Sequence, residues 1–428
     1  MILKNMLSFF VPHKRFNIFS GTNTWKEWWL FFCAYFTFGS YEDESIIDEY
    51  EKAFAKAAGT IHAISFGAGR MGLYAILEAL ELQRGDEIIL PAFTCVVVPN
   101  AILYRGLKPV YVDIDPITFN VDVLKIEKAI TSRTRALYIQ HTFGVICDVG
   151  KARAIADRYK LYLIEDACHA LGATDKGKKA GSLSDVAYFS TDHSKVISTV
   201  LGGMVTTNHD AWATKIRAIQ QSSPFLTRKW VRKIMLAFLT ERMLLSPYCA
   251  WFGRKFFAAL VKFKIIFFYH DELKIERPTN YPYPCRLSSI QAKLGLSQLA
   301  GLHCNLNHRR QIALWLESRI KWYENLPQEF LLQQTWIRYS FLVQDRTEFE
   351  ALFMKHFDLG IWFTSILHGR AEGLDKLDYV QASCPVAEWV AQHIVNFPTH
   401  LRIPLKFLQD NWSQHEQVVL TMLDRGIL

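Results

Sequence analysis

The sequence predicts an α/β fold, a mainly parallel central sheet with helices on both faces, plus a smaller C-terminal α+β domain. Two observations carry this. Short apolar strands alternate with amphipathic helices from residue 44 to about 190, the pattern of a parallel sheet covered on both sides. The chain has 428 residues, 50% of them hydrophobic, enough for one large core with a smaller unit attached.

The elements follow in order. Residues 44–58 place Ile46, Ile47, Tyr50, Phe54 and Ala57 at helical spacing. Residues 61–66 read as a short strand, followed by Gly67-Ala68-Gly69-Arg70 and a helical stretch over 73–82. Gly85-Asp86 turns into a buried strand over 87–91, ended by Pro91. Next come a helix near 96–105, a strand at 108–112, a helix at 122–130 and a strand at 134–140. A helix at 149–158 leads to a strand over 161–164, and residues 186–189 form another. The stretch 211–275 breaks this rhythm: it is helical, aromatic and basic, interrupted at Ser246-Pro247. Beyond Pro278 to Pro284, residues 287–299 and 312–323 read as amphipathic helices. Strand-like residues 337–343 and helices near 348–357 and 386–394 fit a small α+β unit. The expected divisions are an aromatic-rich segment at 1–43, a large α/β domain at 44–225, a basic helical insert at 226–277 and a smaller domain at 278–428.

The net charge is +8, unevenly spread. Between Arg228 and His270 nine Lys/Arg stand against one acid, Glu241. Arg228, Lys229, Arg232 and Lys233 share a helix face beside apolar residues, a composition suited to an anionic membrane surface. A helical hairpin packed on a dimer is the alternative. The N-terminal Met1-Ile2-Leu3-Lys4 and Phe9-Phe10-Val11-Pro12 resemble a signal peptide only weakly, since no small-residue cleavage site follows. The apolar run from Trp28 to Phe38 is shorter than the ~20 residues of a spanning helix. It reads as a helix capping the core or as an interfacial contact. Eight scattered cysteines, without a C-x-x-C pair or His/Cys cluster, read as free thiols in a reducing compartment, with no metal site. The expected location is cytoplasmic, with peripheral attachment at the inner face of the membrane. No nucleic-acid partner is expected.

Two stretches carry the chemistry: Ile164-Glu165-Asp166-Ala167-Cys168-His169 and Phe189-Ser190-Thr191-Asp192-His193-Ser194-Lys195. They supply an acid, an imidazole, a hydroxyl and an amine, the groups that hold pyridoxal 5'-phosphate (PLP). Only a lysine forms the internal Schiff base, and a carboxylate partner keeps the pyridine nitrogen protonated. Each residue also has an ordinary reading. Lys195 is by type a solvated loop charge, Asp166 or Glu165 a helix N-cap, and His169 a core or surface histidine in the first turn of the next helix. Position favours the functional reading: Gly69, Asp166 and Ser190 all fall at carboxyl ends of strands, where ligands bind in such sheets. A glycine turn at a helix N-terminus makes an anion site, to which Arg70 adds charge. His141, Gly144 and Asp148 read mainly as structural.

In these residues the chain resembles the DegT/DnrJ-type sugar aminotransferases, a branch of the fold-type I PLP enzymes. Gly85-Asp86-Glu87-Ile88-Ile89 through Pro91-Ala92-Phe93-Thr94 is similar to the family's G-D-E-V-I and P-x-x-T. Val112-Asp113-Ile114-Asp115-Pro116 matches V-D-I-D-P, and Glu165-Asp166-Ala167-Cys168-His169 matches E-D-A-A-Q/H. Phe189-Ser190 with Lys195 and Gly202-Gly203 matches F-S-F-x-x-x-K and G-G, and Arg286 to Ala292 resembles R-M-S-E-I-Q-A. The resemblance implies Lys195 as Schiff-base lysine and proton shuttle, Asp166 on the pyridine nitrogen and His169 beside the ring. Gly69, Arg70 and Ser190 would hold the phosphate, and Cys95 takes the position of a ring-stacking aromatic. It implies a homodimer acting on a keto sugar, a nucleotide-linked 4-keto-6-deoxy sugar with glutamate as amino donor, in polysaccharide or lipopolysaccharide biosynthesis. Departures are Cys95 itself, Tyr283-Pro284-Cys285-Arg286 where the family has G-Y-N-Y-R, and the basic insert. Arg70 is expected to offset the lost Asn. The rival readings are a sugar dehydratase of the same family, in which histidine replaces the lysine (His193 is near), and a non-catalytic membrane-peripheral protein that retains the fold.

Overall fold

The computed structural model describes residues 14–17, 21–36, 41–267, 273–359 and 362–426. The N-terminal stretches Met1 to Lys4 and Phe9 to Pro12, together with Phe38 and His270, lie outside the described residues. A seven-stranded sheet is the centre of the molecule: β1 (His62–Phe66), β2 (Glu87–Pro91), β3 (Lys108–Val112), β4 (Thr134–Gln140), β5 (Tyr162–Asp166), β6 (Val186–Ser190) and β7 (Gly203–Thr207). Their spatial order is β1-β7-β6-β5-β4-β2-β3. Six strands run parallel to one another, and β7 alone runs antiparallel to both of its neighbours.

Local chemistry sets the helices between them. Asp43, Asp122 and Asp148 accept backbone N–H bonds at the starts of Glu44–Ala58, Val123–Ala129 and Val149–Tyr159. Asp148 is thereby spent as a cap. The strand read over 161–164 continues to Asp166, which pairs with Gln140 and Tyr188 on its two sides. The sequence reading missed β7: Gly202-Gly203 reads as loop chemistry, yet Gly203 pairs with Ser190 and with Phe66.

One expectation is corrected. His169 does not begin a helix. Residues 168–172 form consecutive turns, with Ala170 N–H donating to Ala167 and Ala173 N–H to Ala170. Gly172, at φ +90°, ends them, and Leu306 occupies the space its side chain would need.

The basic insert forms a hairpin of two helices, Arg228–Leu244 and Ala250–Lys262. Val231, Ile234, Met235 and Phe238 pack in one core with Phe31 of the helix Trp25–Phe36 and with Ile64, Tyr188 and Val205 of the sheet. Toward the C-terminus, Arg338–Leu342 pairs antiparallel with Ile394–Pro398. The short strand Leu367–His368 runs parallel to Thr94–Cys95, which carries the C-terminal half to the carboxyl edge of the sheet.

That edge is tightly built at Gly203. A Cβ there would lie 2.4 Å from the Ala68 carbonyl carbon and from the Gly69 nitrogen, both backbone atoms. Gly203→Ala should therefore lower stability by about 1–3 kcal/mol, read as a fall in Tm, because neither strand nor turn can give way. An unchanged Tm would show that the turn is looser than described.

Candidate functional site

A cavity opens where the carboxyl ends of β4, β5 and β6 meet the turn after β1. It is lined by Arg70, Cys95, Gln140, Asp166, Cys168, His169, Tyr188, Ser190, Asp192, Ser194 and Lys195 from the sheet side, and by Trp362, Phe363, His368 and Gly369 from the C-terminal half. Six of the seven residues singled out from the sequence share this wall. Gly69 stands just behind it, with Ser190 Cβ 2.8 Å from where a side chain of its own would begin.

Asp166 is buried at the end of the fifth strand. Tyr138 donates to its Oδ2 at 2.5 Å. Tyr188 donates to the same oxygen at 2.9 Å, and its hydroxyl lies 2.7 Å from that of Tyr138. The Cys168 backbone N–H donates to Oδ1 at 2.9 Å. Burial, and then the charge of Asp166, push both phenols well above their ordinary pKa, so they remain donors. Oδ2 is thus engaged by the phenols, and Oδ1 keeps acceptor capacity for a cationic nitrogen in the cavity. Asp166 caps no helix.

Lys195 reaches His169, Nζ to Nε2 at 2.9 Å. Burial, then the positive charges of Lys195 and Arg338, hold the His169 imidazole well below its ordinary pKa. The ring is neutral, and its Nδ1 accepts from the Phe143 backbone N–H at 3.2 Å. Its Nε2 is the ring nitrogen left to face the lysine nitrogen. Phe143 and Trp362 stack on the imidazole, at 6.2 and 5.0 Å between centroids, and fix its plane. Gly144, Glu165 and His141 support this wall: Glu165 binds His141 Nε2 at 2.9 Å, and neither lines the cavity.

The third corner suits an anion. The helix Gly69–Ala79 begins beside Ser190 with no side chain capping it, so its N-terminal dipole faces the cavity. Arg70 lies on its first turn, near the phenols of Tyr281 and Tyr283. The segment standing where the family has G-Y-N-Y-R is held against this turn, with Gly67 N–H donating to the Cys285 carbonyl at 2.8 Å. Thr94 and Val96 bond the backbone of Ile366 and His368, which sets His368 beside Cys95. An amine, a carboxylate with acceptor capacity to spare, flat aromatic walls and an anion corner fit the aldehyde, pyridine ring and phosphate of PLP. Lys195, Asp166 and His169 would hold the ring end, and Arg70, Ser190 and the helix N-terminus the phosphate.

Sequence reasoning missed Tyr138, Tyr188, Trp362 and His368. The tyrosines read as strand core, and their alignment with Asp166 emerges only from strand register. His193 does not line the cavity; it faces the insert. Tyr138→Phe keeps the ring and removes one donor to a buried carboxylate, worth about 1–2 kcal/mol. Affinity for PLP should fall about tenfold in a fluorescence titration, and an unchanged Kd would contradict the role given to this phenol.

Comparison with known proteins gives the family. The chain is 36% identical over 274 residues to GDP-perosamine synthase of Caulobacter vibrioides, covering 64% of this chain and 62% of that one, so less than two thirds of the relative's length is matched. It is 30% identical over 363 residues to an uncharacterised protein of Methanocaldococcus jannaschii, covering 82% and 84% of the two chains. Its fold is similar to that of NtdA from Bacillus subtilis, solved with bound cofactor PMP, at a TM-score of 0.69 and 22% identity over 93% of this chain and 82% of that one. The pattern of one family runs through residues 37–409, and the chain belongs to that family, the DegT/DnrJ/EryC1/StrS aminotransferases.

Proposed function

We propose that this protein is a PLP-dependent aminotransferase of a nucleotide-linked 4-keto-6-deoxy sugar, with glutamate as amino donor, serving polysaccharide or lipopolysaccharide biosynthesis as a homodimer. The observation that carries the reading is the convergence of Lys195, His169 and Asp166 in one cavity with an anion corner. Similarity to a GDP-sugar enzyme supports a nucleotide-linked substrate.

PLP, when bound, supplies the electron sink that makes the bond to the α-hydrogen acidic. The protein does the rest. Lys195 would present its amine to the cofactor aldehyde, and as a free amine beside the reacting carbon it would take up and return the proton. His169, neutral and clamped by two aromatic rings, orients that amine through Nε2. Asp166 would hold the positive ring nitrogen, and the phenols keep its carboxylate from turning. Ser190, Arg70 and the helix N-terminus would anchor the phosphate and so keep the cofactor in one place. Lys195, not His193, lines the cavity, which favours amine transfer over the dehydratase reading.

Purified protein with PLP should absorb near ~410–430 nm, and glutamate with nucleotide keto sugars should give an amino sugar. Lys195→Ala should lose the band and slow turnover by at least about 10²-fold. A protein with the band that aminates only free keto acids would overturn the sugar assignment.

A second reading concerns the insert, which we propose contacts an anionic membrane peripherally, at its inner face. Trp25, Trp29 and Phe36 of the N-terminal helix and Phe252, Phe256 and Phe263 of the hairpin are exposed. Arg228, Lys229, Arg232 and Lys233 line a surface groove between Tyr35 and Ile265. No helix among the described residues is long and apolar enough to cross a membrane, so the contact would be interfacial. The protein should sediment with phosphatidylglycerol vesicles at low salt and be released at high salt. Equal behaviour with phosphatidylcholine vesicles, or none, would remove this reading.

A further inference from the structure

We propose that the helical hairpin positions the reactive amine through a row of alternating buried charges, Lys195, Asp192, His193 and Glu241, to which the hairpin contributes the last. The inference rests on the reading of Lys195 as the Schiff-base lysine.

The loop that carries Lys195 is irregular, yet most of it is buried. Internal bonds give it shape. Thr191 and Thr199 hydroxyls meet at 2.6 Å, Ser194 donates twice to Asp192 Oδ1 at 2.8 Å, and Asn305 donates to the Val196 carbonyl at 2.6 Å. Its link to the hairpin is His193, whose Nδ1 lies 3.2 Å from Glu241 Oε2 with both side chains buried. Glu241 is the sole acid between Arg228 and His270. It points inward, away from solvent, and its other oxygen, Oε1, has no hydrogen-bond partner among the described residues. A hairpin needing only to pack would place an apolar side chain there; a buried carboxylate is costly unless cations answer it, and those facing Glu241 are His193 and the largely buried Arg402.

The charges are coupled along the row. Burial opposes charge on His193, but Glu241, by charge and hydrogen bond, and then Asp192 raise its pKa above the ordinary value, against Arg70 of the helix Gly69–Ala79. Burial likewise opposes charge on Asp192, and Lys195, His193 and the Ser194 donors bring its pKa below the ordinary range. Arg338 also faces Asp192. The two imidazoles on this side are uncharged: burial and then Lys195 hold His368 at about 4 and His169 well below its usual value. Asp192 is therefore shared between Lys195 and His193.

The sign follows. Without the charge of Glu241, burial is less opposed and the balance at His193 moves toward the neutral form. His193 stands two residues from Lys195 in the same loop, whereas Glu241 meets that loop at His193, so the charge lost at His193 weighs more on Lys195. Asp192 then acts on Lys195 less opposed, and the nitrogen at Lys195 holds its proton more firmly. A residue with only a packing role would change stability and leave this titration in place.

The test is an absorbance titration against pH of the PLP-loaded full chain. Glu241→Gln and His193→Asn should each move the midpoint upward by about half a pH unit or more, roughly threefold in proton affinity. Glu241→Asp, which keeps the charge, should retain the wild-type midpoint. If Glu241→Gln does not fold, His193→Asn carries the same expectation. Unmoved midpoints in both neutral variants, or an equal shift in Glu241→Asp, overturn the inference while leaving the PLP reading intact. Absence of any band in the wild type overturns both.

Discussion

A carboxylate buried at the end of a central strand is the constraint on which the rest depends. Asp166 cannot be solvated there, so its neighbours must supply donors. They come from three directions: Tyr138 on one adjacent strand, Tyr188 on the other, and the backbone of Cys168 in the turn that follows. Each source is a consequence of sheet order. β5 lies between β4 and β6, and the register that pairs Asp166 with Tyr188 puts the phenol beside the acid. A register shift of one residue would turn either tyrosine to the opposite face and strand the charge. The sheet and the site are in this sense one construction.

The same logic extends outward from Lys195. Its loop is buried, polar and irregular, and so its backbone and side chains are tied at many points. Two of those ties reach distant parts of the chain. His169 and Trp362 join the lysine to the C-terminal half, and His193 with Glu241 joins it to the hairpin. A hairpin that looks like surface decoration, with basic and aromatic residues outward, is anchored by its one acid to the loop that carries Lys195.

Much of this was legible in the sequence because it depends on local rules. Alternating strands and helices give a parallel sheet, Asp caps mark helix starts, and Gly67-Ala68-Gly69-Arg70 after a strand marks an anion site. Gly69, Asp166 and Ser190 could be placed at strand ends for the same reason. What was not legible depends on register and tertiary pairing. Tyr138 and Tyr188 are ordinary strand residues until strand order sets them beside Asp166. His368 is an unremarkable loop histidine until it pairs with Cys95. Glu241 stood out as a lone acid, but only the packed hairpin shows that it faces His193. β7 escaped because two glycines and a short apolar run resemble a turn. His169 was misplaced on a helix because alanine-rich local composition favours one, whereas Gly172 breaks it.

The central claim is that Lys195 is the amine that bonds the cofactor. The most direct measurement is to load the protein with PLP, reduce with borohydride, digest and locate the pyridoxyl group by mass spectrometry. The account predicts stoichiometric label on the peptide that carries Lys195. Label on another lysine, or no retained label, would contradict it.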